Sequence, residues 1–218
     1  MGFKCIYKGG VSEIEEKKSR FICYVEAVES ETAAVAFINE IKKKHWDARH
    51  NCSAFVIGDK GQLTRCSDDG EPQGTAGRPM LEVLLGENIR NVAVVVTRYF
   101  GGILLGTGGL VRAYQAAVKE GLRASVIVEK QLGVKAYIES DYTDYGKLSY
   151  LYNSEGYYVI NTDFAENVRT ELMLNAECFD EMYAKVIEIT AGRIAPIKGE
   201  ECLFGVVDKE VVIFEKSE

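Results

Sequence analysis

Histidine and proline are scarce in this chain, with two and three residues respectively in 218. Two histidines, His45 and His50, leave little room for a zinc centre, which takes about four ligands, and no second Cys/His pair supplies the rest. Six cysteines are present, but none forms a C-x-x-C pair, and most lie within apolar runs where a reduced thiol acts as a small hydrophobe. Long apolar stretches are missing too. None reaches the ~18–20 residues needed to span a bilayer. The opening MGFKCIYKGGVSEIEEKKSRF has no apolar segment after its basic start, so no secretory signal is read there. Ile6 stands where a myristoylation signal needs Ser or Thr. These absences point to a cytoplasmic protein with reduced thiols and no membrane partner.

What is present is an ordinary globular composition, nearly half hydrophobic. Its charge is uneven. Residues 1–133 hold 18 Lys/Arg against 16 Asp/Glu, and residues 134–218 hold 8 against 17. An anionic partner therefore belongs with the first part rather than the second.

Residues 3–28 read as two strands around a charged turn at Glu15–Ser19. Ser30 is a helix N-cap, followed by Ala34, Phe37, Ile38 and Ile41 on one helical face. Trp46 reads as an anchor at the end of that helix. Residues 52–58 form a strand, with 62–66 pairing back across a Gly58–Gly61 turn. Pro79 falls in the first turn of a short helix. The β-branched run Val92–Thr97 is a central strand, buried on both faces. A helix then starts near Gly108 and buries Leu110, Ala113, Tyr114, Ala117, Val118 and Gly121. From Val134 the order is strand, helix, strand, strand, helix, strand, which is a ferredoxin-like βαββαβ pattern. Val211–Phe214 adds an edge strand. The expected organisation is α+β with two domains, 1–133 and 134–218.

Two segments could carry chemistry. The first, TRYFGGILLGTGGLVRAY (97–114), is a glycine-rich strand–loop–helix. Gly101, Gly102, Gly106, Gly108 and Gly109 expose backbone N–H groups, and a helix N-terminus adds partial positive charge. Arg98 and Arg112 flank the loop. A phosphate-binding P-loop is excluded because Thr107 stands where its lysine belongs, and a dinucleotide fingerprint because Val111 replaces the third glycine. The loop either holds an anion or lets strand and helix pack closely. The second segment is DDGEPQGTAGRP (68–79), where Asp68, Asp69, Glu71 and Thr75 surround strong turn signals. It lacks the alternating ligands of an EF-hand, so it is either a solvated turn or one wall of a pocket shared with the glycine loop. His50 and Cys52 are two apart on a strand and share a face, but spacing alone supplies no third group for nucleophilic catalysis. No catalytic residue, metal or cofactor is assigned.

Taken together, DDGEPQGTAGRPM and VTRYFGGILLGTGGLVRAY, with ARHNCSAFV (48–56) upstream, resemble the YigZ/IMPACT family. The likeness covers essentially the whole N-terminal part, and the C-terminal part is similar to the small domain that bacterial members append. Gln115 departs from the family pattern, where glycine follows Arg-Ala-Tyr. The resemblance implies an N-terminal βα sandwich like the second domain of a small-subunit ribosomal protein and domain IV of elongation factor G. It implies a ferredoxin-like second half. It also implies a tie to translation, since eukaryotic relatives bind a large ribosome-associated activator of a starvation-responsive kinase. Two function classes follow. One is a non-enzymatic regulatory protein that presents its N-terminal loops to ribosome, RNA or a translation-control protein, without reading DNA sequence. The other is a small-molecule or anion-binding enzyme using the glycine-loop cleft. The candidate binding residues are His50, Asp68, Asp69, Glu71, Thr75, Arg98, Gly101, Gly102, Gly106, Gly108, Gly109 and Arg112.

Overall fold

A computed structural model describes residues 2–214 of the chain. They form two compact units, Phe3–Glu129 and a second built from Lys130 onward.

The first unit opens with β1 (Phe3–Lys8), β2 (Val11–Glu16) and β3 (Ser19–Ala27), then α1 (Glu31–Lys44). There are thus three strands before the helix rather than the two expected. Gly9 and Gly10 separate β1 from β2, and Lys17-Lys18 make the expected charged turn between β2 and β3. A Cβ at Gly9 would sit 2.3 Å from the Val25 carbonyl oxygen, so the chain can pass there only without a side chain. β4 (His50–Ile57) pairs antiparallel with β5 (Leu63–Ser67). α2 (Gly77–Gly86), the short β6 (Ile89–Arg90), β7 (Val92–Tyr99) and α3 (Thr107–Arg123) complete the unit.

The main sheet has the order β2-β3-β7-β4-β5, so β7 is central. Strand alternation decides what each face carries. Val92, Val94 and Val96 point with Phe21, Cys23, Cys52 and Ala54 into the larger core under α2 and α3. Ala93 and Val95 point the other way, under α1. Burial on both faces is why β7 reads as a continuous apolar run. α1 is capped by Ser30 Oγ, which accepts from Ala33 N–H, and its last turn carries Lys42, Lys43 and Lys44 against the negative end of the dipole. α3 buries Leu110, Ala113, Tyr114, Ala117, Val118 and Gly121 as its spacing predicts. A Cβ at Gly121 would lie 2.5 Å from Cys23 Sγ, so this glycine sets how closely α3 approaches β3.

In the second unit, reached within β8 (Val126–Ser140), α4 (Tyr142–Glu155), β9 (Tyr158–Phe164), β10 (Val168–Asn175), α5 (Phe179–Ile189) and β11 (Ile197–Val207) give the expected βαββαβ order. β10 pairs with both β8 and β9, and β11 pairs with β8, all antiparallel. β12 (Glu210–Phe214) adds the edge strand beside β11. Gly156 ends α4 in the left-handed conformation, φ +71°. The fold is α+β. No helix among the described residues is long and apolar enough to cross a membrane.

Candidate partner-binding cleft

Sheet register brings the chemistry of the first unit to one end of its main sheet. Arg98, near the end of β7, has Phe21 of β3 on one side and His50 of β4 on the other. Alternation carries His50 and Cys52 onto the same face, as the two-residue spacing predicts. The turn that follows β5 folds back over this face and delivers Glu71.

Glu71 Oε1 accepts from Arg98 Nη1 at 2.7 Å and from the Tyr114 hydroxyl at 2.8 Å. The ion pair is buried, with side-chain exposures of 7% for Arg98 and 3% for Glu71. Arg98 Nη2 reaches Ser19 Oγ at 3.4 Å, and the guanidinium carbon lies 5.4 Å from the Phe21 ring and 5.6 Å from the Phe100 ring. Tyr114 packs edge-on against Phe21 at 5.2 Å. The Cys52 thiol sits 2.9 Å from the Asp68 carbonyl and 3.3 Å from the Tyr114 hydroxyl. Burial pushes the Cys52 thiol up to about 12, against the opposing effect of the Tyr114 hydrogen bond. Burial, with Cys52 and Glu71 close by, likewise raises the Tyr114 hydroxyl well above its ordinary range. Both groups therefore stay protonated near neutrality and act as hydrogen-bond donors rather than nucleophiles.

The other two carboxylates of the turn have different tasks. Asp68 accepts from the backbone N–H groups of Gly74, Ala76 and Gly77 at 2.8–3.0 Å. Burial opposes its ionisation, but the three N–H groups outweigh that and hold its carboxyl below the ordinary value. Asp69 Oδ2 accepts from Asn51 N–H at 2.8 Å, and its Oδ1 pairs with Lys42 Nζ at 2.6 Å. His50 Nδ1 lies 3.0 Å from the Asp69 carbonyl. Thr75 Oγ1 donates to the Pro72 carbonyl at 2.6 Å. Among the described residues no group of three His, Cys, Asp or Glu side chains is disposed to hold a metal ion.

The glycines divide by function of position. A Cβ at Gly101 would come within 1.9 Å of the Lys18 carbonyl oxygen, so this residue is a contact between two backbones. Gly102 (φ +85°) and Gly106 (φ +72°) have no neighbour within 4 Å of such a Cβ, so their need is conformational. Gly108 and Gly109 begin α3, whose N-cap is Gly106 and has no side-chain cap. The first amides of α3 therefore remain open donors at the positive end of its dipole.

A cleft of about 410 Å³ lies between these walls, lined among others by Arg49, His50, Glu71, Arg98, Phe100, Leu104, Gly106 and Thr107. His50, Glu71, Arg98 and Gly106 thus come together. Asp68, Asp69 and Thr75 build the turn behind one wall. Gly109 and Arg112 lie along a separate depression with Ile14 and Lys17. Near Arg98 the sequence offers Phe100 and Tyr114 as either stacking aromatics or core and favours core; Tyr114 is core, whereas Phe100 is half exposed. Sequence reasoning missed Arg49 and Leu104. The apolar run Ile103-Leu104-Leu105 inside a glycine loop is a signal that could have found Leu104, since a loop tip cannot bury every residue. Phe100, Ile103 and Leu104 are indeed exposed, Leu104 to 81%.

Comparison with known proteins bears on the whole chain. The Impact N-terminal domain model matches residues 17–122, and a domain of unknown function, DUF1949, matches residues 138–193. The IMPACT family member YvyE of Bacillus subtilis is 42% identical over 195 residues, covering 89% of this chain and 90% of its own length. The IMPACT family member YigZ of Escherichia coli is 38% identical over 194 residues, covering 88% and 95%. A crystal structure described as that of a hypothetical protein superposes with a TM-score of 0.57 at 35% identity, covering 90% of this chain and 96% of that one. With likeness extending over nearly the full length of such relatives, this chain belongs to the IMPACT family.

Proposed function

We propose that the protein is a non-enzymatic regulatory protein of translation, whose N-terminal unit engages a ribosomal or translation-control partner at the cleft between Glu71 and the 100–107 loop. The mouth of that cleft is the observation that carries the reading. Phe100 and Leu104 stand exposed beside Arg49, His50 and the open amides of α3, and Ile103, next in the chain to Leu104, is exposed too. Exposed apolar side chains grouped with cations and backbone donors are what a macromolecular partner uses. Most polar groups deeper in the wall hold one another, with Arg98 Nε the buried donor left without a hydrogen-bond partner among the described residues. Glu71 is taken by Arg98 and Tyr114, and the Cys52 thiol is held protonated. Membership of the IMPACT family, whose eukaryotic members the motif resemblance ties to translational control, supports the same direction.

A small-molecule or anion-binding enzyme is the second reading. It is favoured by the convergence of His50, Glu71, Arg98 and the α3 N-terminus on one concave wall.

Co-sedimentation with ribosomes tests the first reading. The chain is expected in the ribosomal fraction at low salt and largely released at high salt, as a cation-assisted contact requires. Leu104→Glu, at the exposed loop tip, is expected to lower the bound fraction at low salt. A wild-type chain that stays in the free fraction at low salt would sink the ribosomal form of the proposal.

A further inference from the structure

Trp46 is the single tryptophan of the chain. Its place at the end of α1 suggests a buried anchor, yet the side chain is 84% exposed. Tryptophan is normally among the well-buried side chains, and this one is held out on a braced turn. The turn after α1 closes with Ala48 N–H donating to the His45 carbonyl at 3.0 Å. His45 is clamped on both ring nitrogens, with Nε2 2.7 Å from the Tyr24 hydroxyl and Nδ1 2.9 Å from the Tyr99 hydroxyl. Tyr99 spends its own proton on Asp47 Oδ1 at 2.9 Å, so it accepts from His45 Nδ1–H, and Nε2 accepts from Tyr24. Burial, then the neighbouring Lys44 charge, hold His45 below its ordinary value and keep the ring neutral, as this arrangement needs. The residues on either side of Trp46 are therefore fixed by three side-chain hydrogen bonds.

The charges around the turn are also sorted. Lys42 is paired with Asp69, and Asp47, the only acid in KKKHWDARH (42–50), accepts from Tyr99. Lys43, Lys44 and Arg49 make no ion pair among the described residues, and Lys44 Nζ lies 4.7 Å from the Tyr24 ring centre. Arg49, three residues after Trp46, lines the cleft. Arg49 thus links the turn that bears the indole to the cleft along the chain.

We infer that this turn is a binding platform for single-stranded RNA, with a base stacked on Trp46 and the flanking phosphates on Lys43, Lys44 and Arg49. A flat, exposed aromatic set among uncompensated cations is the combination that single-stranded nucleic acid uses, because every base has a π-face and every linkage a negative charge. A membrane surface would want a broader apolar face than one indole. The inference rests on the proposed tie to translation and shares only Arg49 with the cleft mouth.

The single tryptophan makes the test direct, since all indole emission comes from Trp46. The full chain is titrated at low salt with a short single-stranded oligouridylate, with polyglutamate as a second arm. RNA is expected to quench the emission, and added salt to reverse it. In parallel, anisotropy of labelled RNA is expected to show at least about a fivefold loss of affinity for Trp46→Ala, with most affinity kept by Trp46→Phe. An unchanged thermal midpoint for both variants confirms folding. Absence of quenching, equal affinity of Trp46→Ala, or quenching by polyglutamate as strong as by RNA would each overturn the assignment. Ribosome co-sedimentation separates this outcome from the broader reading. A chain that co-sediments but is not quenched by RNA removes only the platform, and a chain that is quenched but never co-sediments removes only the ribosomal reading.

Discussion

Replacing Glu71 with alanine is expected to destabilise the N-terminal unit by roughly 3–5 kcal/mol, the range for breaking a buried ion pair from one side. The cause is what the substitution leaves behind. Arg98 is buried beneath Phe100 and beside Phe21, and its nearest anion is Glu71 Oε1 at 2.7 Å. Without that carboxylate a guanidinium remains in a poorly hydrated site, and the Tyr114 hydroxyl loses its acceptor as well. Removing both charges together, as Glu71→Leu with Arg98→Met, is expected to cost much less than the sum of the two single changes. Urea denaturation of the four proteins reads this directly. Additive single and double effects would mean that the pair contributes nothing as a pair. The result also bears on the cleft, because Glu71 is the tie between the turn on one wall and the strand and helix on the other.

Gly101→Ala is the second large effect. The added Cβ would lie 1.9 Å from the Lys18 carbonyl oxygen, 2.0 Å from its carbonyl carbon and 2.5 Å from Ser19 N. All three are backbone atoms, so no side chain can swing away. The β2–β3 turn that supplies them is already tightly specified, with φ of +45° at Lys17 and +64° at Lys18. Gly101 N–H also donates to Ser19 Oγ at 3.2 Å, a bond that a displaced loop would lose. A loss of about 3 kcal/mol or more is expected, at or above the upper end of ordinary overpacking. Gly108→Ala is the control. Its Cβ would meet only Arg112 Nη1 at 3.7 Å, an ordinary contact within the first turn of a helix. It is expected to change stability by less than about 1 kcal/mol. Denaturation midpoints of the two variants settle the comparison, and equal effects would show that the loop is not anchored at Gly101.

The elements of this fold were largely legible because periodicity is a local signal. The period-two placement of His50 and Cys52, the two-sided burial of β7 and the helical face from Leu110 to Gly121 all follow from spacing alone. So does the βαββαβ order of the second half. The division of residues 3–28 into three strands was not legible, because it depends on Val25 and Ala124 passing close to Gly9 and Gly10. The site was legible only in outline. That the turn at 68–72 and the glycine loop share a cleft could be suspected from their chemistry. Which carboxylate meets Arg98 could not, since Asp68, Asp69 and Glu71 are alike in sequence and are sorted by tertiary geometry. One binds three backbone amides, one joins Lys42 and Asn51, and one enters the core. Trp46 misled for a related reason. Aromatic residues at helix ends are usually buried, and only the position of the His45 clamp shows that this one is held outward.

The glycine loop accordingly has two parts. Its start is a packing device, fixed by Gly101 against Lys18, and its remainder, from Gly102 to the first turn of α3, is an exposed apolar and hydrogen-bonding surface. Hydrogen exchange of the full chain with and without excess ribosomal particles, at low salt, tests most directly whether that surface meets the partner. The account predicts slowed exchange at the amides of 100–110 and of the opposing turn at 69–71. Protection confined to residues 130–214, or unchanged exchange across 100–110 in the bound chain, would contradict it.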